Sequence, residues 1–113
     1  MFKLNHDFDK RKSESSKIKL KYPDRIPIIV EKYKSSNVAD IDKNKYLAPK
    51  DMTIGQFTYI IRKKIKLKSN EALFITINNK SMTSSNLLSD IYELDHDEDD
   101  FLYIVYSSEN TFG

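Results

Sequence analysis

Hydrophobic and polar positions change their spacing several times along the chain. From Phe8 to Tyr22, the positions Phe8, Arg11, Ser15, Ile18 and Tyr22 recur every three or four residues among charged neighbours, the mark of a weakly amphipathic helix lying on the surface. It should stop at Tyr22-Pro23-Asp24, because proline drives the preceding residue out of helical geometry. Arg25 to Tyr33 reads as a strand in which Ile26, Ile28 and Val30 alternate with Pro27, Ile29 and Glu31. Pro27 cannot donate to a ladder, so that side of the strand should be an edge or face something other than a strand. After a loop opened by Ser35-Ser36-Asn37, Lys45 to Ala48 reads as a short second strand, antiparallel to the first.

Thr53-Ile54-Gly55-Gln56 carries a capping-box spacing, and Ile54, Phe57, Ile60, Ile61 and Ile65 follow on one helical face, with lysines gathered at the end of the helix dipole. This predicts a core helix with Gly55 in its first turn, where glycine costs little. Leu73 to Ile77 is a third strand, stopped by Asn78-Asn79, and Leu87, Leu88, Ile91 and Leu94 indicate a short helix. Phe101 to Tyr106 is apolar at every position; a strand without alternation is covered on both faces and belongs in the middle of a sheet, most simply beside the first strand. The predicted class is α+β: a ubiquitin-like β-grasp with a four-stranded mixed sheet, a crossing helix and an added N-terminal helix. Residues 1–22 are the helical extension, 23–106 the core and 107–113 a flexible tail.

Composition narrows the chemistry. The 113 residues include no cysteine, so disulfides, thiol nucleophiles and cysteine-built metal sites are excluded, and a reducing, cytosolic-type compartment fits. The start of the chain has no apolar signal core, and no apolar run approaches the roughly 20 residues that span a bilayer. With only Gly55 and Gly113, no glycine-rich phosphate loop can form. His6 and His96 have no catalytic company, so no enzymatic activity, cofactor or metal is expected. The net charge of +2 hides an uneven distribution: seven basic residues against three acids between Lys3 and Lys21, a basic cluster from Arg62 to Lys68, and an acidic run from Asp95 to Asp100. That run has an EF-hand-like start at Asp95, Asp97 and Asp99, but Asp100 stands where glycine is needed and Tyr106 where glutamate is needed, so it reads as a solvated loop. The aromatics of the last strand are expected to be buried, which argues against nucleic-acid binding.

The end of the chain points elsewhere. After the last strand, Ser107 to Gly113 builds no further element and finishes on a glycine, whose carbonyl has no side chain to crowd an acyl transfer. The segments Phe8-Asp9-Lys10-Arg11-Lys12, Tyr22-Pro23-Asp24-Arg25-Ile26-Pro27, Ile41 to Leu47, Gly55-Gln56-Phe57, Tyr59 to Lys63, Phe101-Leu102-Tyr103 and Glu109 to Gly113 resemble, in order, those of the autophagy-related protein 8 family.

That resemblance implies conjugation of Gly113, presented by Phe112, to phosphatidylethanolamine through activating and conjugating enzymes, with a deconjugating enzyme to reverse it. Two acyl chains anchor a protein stably where one does not. It also implies a groove for aromatic-x-x-aliphatic peptides (the LIR or AIM motifs of cargo receptors). The aromatic pocket would comprise Glu14, Ile18, Pro27, Ile29, Lys45, Leu47 and Phe101. The aliphatic pocket would comprise Tyr46, Ala48, Pro49, Met52, Phe57 and Ile60, while Arg25, Lys43, Lys45 and Lys64 would face an acidic flank. The protein would be cytoplasmic when free and on autophagosome or other vesicle membranes when lipidated. Asn44, Lys68-Ser69 and Ser108 depart from the usual family pattern. The alternatives are a non-conjugated trafficking or cytoskeletal adaptor, or a plastid-membrane role for the same lipidated modifier.

Overall fold

The computed structural model describes residues 1–108. Helices α1 (Phe2–Asn5) and α2 (Phe8–Lys21) precede strand β1 (Arg25–Lys32), β2 (Lys45–Pro49), helix α3 (Ile54–Lys64), β3 (Phe74–Ile77), β4 (Lys80–Ser81), helix α4 (Leu88–Asp95) and β5 (Leu102–Ser107). The strand order is β2-β1-β5-β3-β4. β5 runs parallel to β1 from the Ile28–Leu102 pair onward and antiparallel to β3, so the apolar last strand is the middle one, as its sequence predicts. The sheet has five strands instead of the expected four. β4 is a two-residue strand reached through Asn78 and Asn79, both at positive φ (52° and 62°), which is the backbone of a tight two-residue hairpin. The asparagine pair that signalled a strand end also signals that turn.

The sheet separates two apolar clusters. On one face Ile26, Ile28, Val30, Ala48, Leu102, Ile104 and Tyr106 meet Ile54, Phe57 and Ile61 of α3 and Leu88 and Ile91 of α4. On the other, Ile29 and Phe101 meet Phe2 of α1, with Ile18 and Tyr103 packed around them. The capping box of α3 is formed: the Gln56 amide donates to Thr53 Oγ1 (3.2 Å) and the Thr53 amide to Gln56 Oε1 (2.9 Å). Gly55 serves a close approach more than a permissive first turn. Its amide donates to the Ser84 carbonyl at 2.9 Å, and a Cβ there would stand 3.1 Å from both that oxygen and Ser84 Cβ. At the other end, Leu67 and Lys66 amides return to the Arg62 and Lys63 carbonyls while Lys66 takes φ 56°, a Schellman ending with lysine in the usual glycine position.

Two expectations about charge change. α2 is not simply a surface helix: it buries Arg11 and Ser15, polar members of its weak stripe. The acidic run is not a solvated loop, because Asp99 is fully buried. Its carboxylate accepts from Arg11 Nη1 (2.6 Å), Tyr103 Oη (2.5 Å) and the Phe101 amide (2.9 Å). Lys3 pairs with Asp97, Lys12 with Asp100 at 2.5 Å, and Lys80 with Asp95 at 2.7 Å. A buried charge is tolerable only when paired and hydrogen-bonded; the basic N-terminal segment supplies partners to Asp97, Asp99 and Asp100, and Lys80 of β4 supplies one to Asp95. His6 is held as well, its ring stacked on Phe2 with centroids 4.4 Å apart.

Candidate functional site

β2 is the outermost strand on its side, and among the described residues no strand pairs with its outer edge. Its register with β1 couples Arg25 to Pro49, Pro27 to Leu47 and Ile29 to Lys45. The Val30 amide donates to the Asn44 carbonyl at 2.7 Å, which fixes the phase of the antiparallel ladder. Ile28–Tyr46 and Ile26–Ala48 are therefore the bonded pairs, and the backbone amides and carbonyls of Lys45 and Leu47 turn outward. The same phase turns the nitrogen of Pro27 away from β2. The β1/β5 ladder begins one residue later, at Ile28, so the missing donor falls outside both ladders.

Side chains from this edge divide between the faces of the sheet. Tyr46 and Ala48 belong to the α3 side with Met52, Phe57 and Ile60, and the Tyr46 and Phe57 rings meet edge to face at 5.6 Å. Ala48 and Phe57 are buried, whereas Met52 and Ile60 are half-buried; Pro49, also half-buried, ends the strand. Tyr46 Oη is a buried hydroxyl with no hydrogen-bond partner among the described residues. Burial, then the nearby Asp42 charge, raises the Tyr46 pKa above its ordinary value.

The α2 side is more closed. Pro27, Ile29 and Phe101 are buried, Ile18 is half-buried beside them, and Leu47 is 39% exposed. Lys45 Nζ pairs with Glu14 Oε2 at 2.7 Å and stands 5.3 Å from the Phe2 ring centroid, so these side chains lie over the apolar floor. Phe2, absent from the sequence-derived pocket, is part of this cluster, its ring edge-on to Phe101 at 5.5 Å. Its position as the one Phe, Tyr or Trp ahead of α2 is the signal the sequence offers.

The cations expected along an acidic flank do not form one group. Arg25 lies at the Pro49 end of the β1/β2 pair, and Lys43 lies two residues beyond Lys45, the other end of β2, which is itself about 14 Å away at the usual rise of a strand. Lys43 Nζ sits 5.4 Å over the Tyr46 ring, and Lys64 is exposed on the last turn of α3. Phe112 and Gly113 lie outside the described residues. The chain before them is anchored: the Ser108 amide donates to Ser36 Oγ at 3.2 Å, and Ser107 is buried within β5.

A mixed sheet whose last strand is central, a helix crossing one face, N-terminal helices on the other and an open edge strand define a ubiquitin-like domain with a helical extension. Residues 10–113 match the family model described as "Autophagy protein Atg8 ubiquitin like". Autophagy-related protein 8e of Arabidopsis thaliana is 56% identical over 113 residues, covering 100% of this chain and 93% of that protein. Autophagy-related protein 8 of Emericella nidulans is 54% identical over 112 residues, covering 99% and 95% respectively. The crystal structure of Trypanosoma brucei ATG8 superposes with a TM-score of 0.90 at 42% identity, covering 94% of this chain and 91% of that one. The chain belongs to the Atg8 family of ubiquitin-like autophagy proteins.

Proposed function

We propose that this protein is a lipid-conjugated modifier that displays a peptide-docking groove on a membrane. The observation that carries the reading is the outward-facing backbone of Lys45 and Leu47, flanked by apolar side chains on both faces of the sheet. An extended peptide adding to this edge would gain main-chain hydrogen bonds. In an extended chain, residues three apart point to opposite faces. An aromatic-x-x-aliphatic segment would therefore send its first anchor toward Ile18, Pro27, Ile29, Leu47 and Phe101, and its second toward Tyr46, Ala48, Pro49, Met52, Phe57 and Ile60.

Burial of each anchor contributes about 1.5–3 kcal/mol before ordering costs, consistent with micromolar affinity. Arg25, Lys43 and Lys64, spread around the groove, would act mainly by long-range attraction of acidic flanks. Gly113 would carry phosphatidylethanolamine, installed by activating and conjugating enzymes of the ubiquitin-like type. Among the described residues no helix is long and apolar enough to cross a membrane, so an attached two-chain lipid would supply the anchorage. The partners would be cargo receptors and autophagy machinery, the location cytoplasm and then vesicle membrane, and the protein itself no catalyst.

Titration with an acidic-flanked aromatic-x-x-aliphatic peptide should give micromolar binding that Leu47→Asp abolishes. Mass spectrometry of the cellular protein should find the lipid on Gly113. A chain lacking Gly113 that still fractionates with membranes would contradict the lipid role, and binding unaffected at Leu47 would contradict the groove.

A further inference from the structure

The floor of the aromatic side of the groove is shared with the N-terminal helix. Phe2, only 3% exposed, forms one cluster with Ile29 and Phe101, both essentially inaccessible. Lys45, whose backbone faces the open edge, holds its ammonium over the Phe2 ring and against Glu14 of α2. Helix α1 is kept in place from three directions. Its Phe2 amide donates to Glu31 Oε2 of β1 at 2.7 Å. Lys3 pairs with Asp97 and lies 4.8 Å over the Tyr103 ring, and the His6 carbonyl accepts from Arg11 Nε at 3.1 Å. A four-residue helix has no stability of its own, so these contacts alone dock it.

An incoming aromatic ring that needs Ile29 and Phe101 as its floor must displace Lys45 from Glu14 and Phe2, and must take apolar surface that Phe2 now covers. We infer that α1 is an autoinhibitory wall of the groove: its docked position, set by Phe2 and supported by Lys3, competes with seating of the peptide's aromatic residue. Phe2 is thus a positioning residue for recognition. The inference rests on the groove reading above. Linkage requires the effect to be mutual: peptide binding loosens α1 by the factor by which loosening α1 strengthens peptide binding.

The test uses the full chain and the same acidic aromatic-x-x-aliphatic peptide. Wild type is compared with Phe2→Ala, which vacates the shared floor, and with Lys3→Gln, which releases the latch without touching it. Lys3→Gln also removes a positive charge, so the lost electrostatic attraction alone would weaken binding of an acidic peptide, opposite to the expected change. Both variants should bind about fivefold tighter or more, and amide exchange over residues 2–6 of the wild type should accelerate when peptide is added. Should Phe2→Ala disturb folding, Lys3→Gln and the exchange measurement on wild type still decide. Equal or weaker binding by Lys3→Gln, or unchanged or slower exchange in α1 on binding, overturns this inference and leaves the groove standing. Binding by neither wild type nor either variant overturns the groove and the inference together. Binding by the variants alone is the strongest form of support.

Discussion

Arg11 Nη1 lies 2.6 Å from Asp99 Oδ2, closing an ion pair across 88 positions of sequence and fastening α2 to the turn that enters β5. Both members are shielded from solvent, and Asp99 has further donors in Tyr103 and the Phe101 amide. Hydrogen bonding to Tyr103 and Asp99 raises the Arg11 pKa even though burial, the largest influence, acts to lower it. Burial foremost, followed by Asp99, raises the Tyr103 pKa well above the phenol value.

Removing the acid from that arrangement should be far more costly than removing its half-buried neighbour Asp100. Asp99→Ala leaves Arg11, Tyr103 and an amide without their common acceptor, and urea unfolding should show a loss of about 3 kcal/mol. Asp100→Ala gives up the Lys12 pair, whose lysine is 42% exposed, and the change should stay below about 1 kcal/mol. Equal losses at the two positions would mean that burial does not govern the clamp.

Acid should weaken the attachment of the N-terminal helices before the rest of the sheet. Burial acts to raise the Asp97 and Asp100 pKa values, but the hydrogen bond from Lys3 to Asp97 and from Lys12 to Asp100, with the surrounding lysine charges, leaves both below the ordinary 3.8. A carboxyl depressed in the folded state contributes fully above its unfolded value and loses that contribution as pH falls through the folded value. Protection factors of the α1 and α2 amides, with exchange corrected for its intrinsic pH dependence, should therefore hold steady from pH 5 to about pH 4 and fall below it. An onset well above pH 5 would show that these two carboxylates do not govern the attachment.

Tyr46→Phe removes a buried hydroxyl that finds no partner among the described residues, while keeping the ring against Phe57. Stability should rise by up to about 1 kcal/mol, since an unsatisfied polar group is lost and no hydrogen bond goes with it. Thermal unfolding would register this, and a clear fall in Tm would require a partner for that hydroxyl.

Gly55→Ala sets helix propensity against space. Alanine is favoured by about 1 kcal/mol in a helix interior and by less in this first turn, and the new methyl would press on Ser84, whose carbonyl is held to the Gly55 amide and cannot easily retreat. The balance should be a net loss of about 1 kcal/mol in chemical denaturation. A stabilised variant would show that the turn carrying Ser84, closed by the Asn86 amide donating to the Thr83 carbonyl, yields readily.

Local signals in the sequence reached as far as local physics does. Thr53 and Gln56 announce α3 because both halves of the capping box lie within four residues, and the uninterrupted apolar run before Ser107 announces a central strand. The acidic run misleads because its partners, Lys3, Arg11 and Lys12, are distant in sequence; by local composition alone it looks solvated. β4 was missed because two residues have no period, and the close approach at Gly55 had no signal because Ser84 is distant in sequence. At the groove, the open edge and the division of Tyr46 and Leu47 between faces follow from strand alternation. The cover formed by Phe2, Lys45 and Glu14 depends on where three separate segments meet, and no spacing encodes that.

Because β5 is flanked by a parallel neighbour on one side and an antiparallel one on the other, anything fastened beyond Ser108 would pull on a strand held along both edges. Tension along that strand would shear both ladders at once instead of unzipping them bond by bond, and Ser36 grips its exit. If the proposed lipid moors the domain beyond Ser108 and a peptide hangs from the β2 edge, the load would pass between them across the β1/β5 ladder.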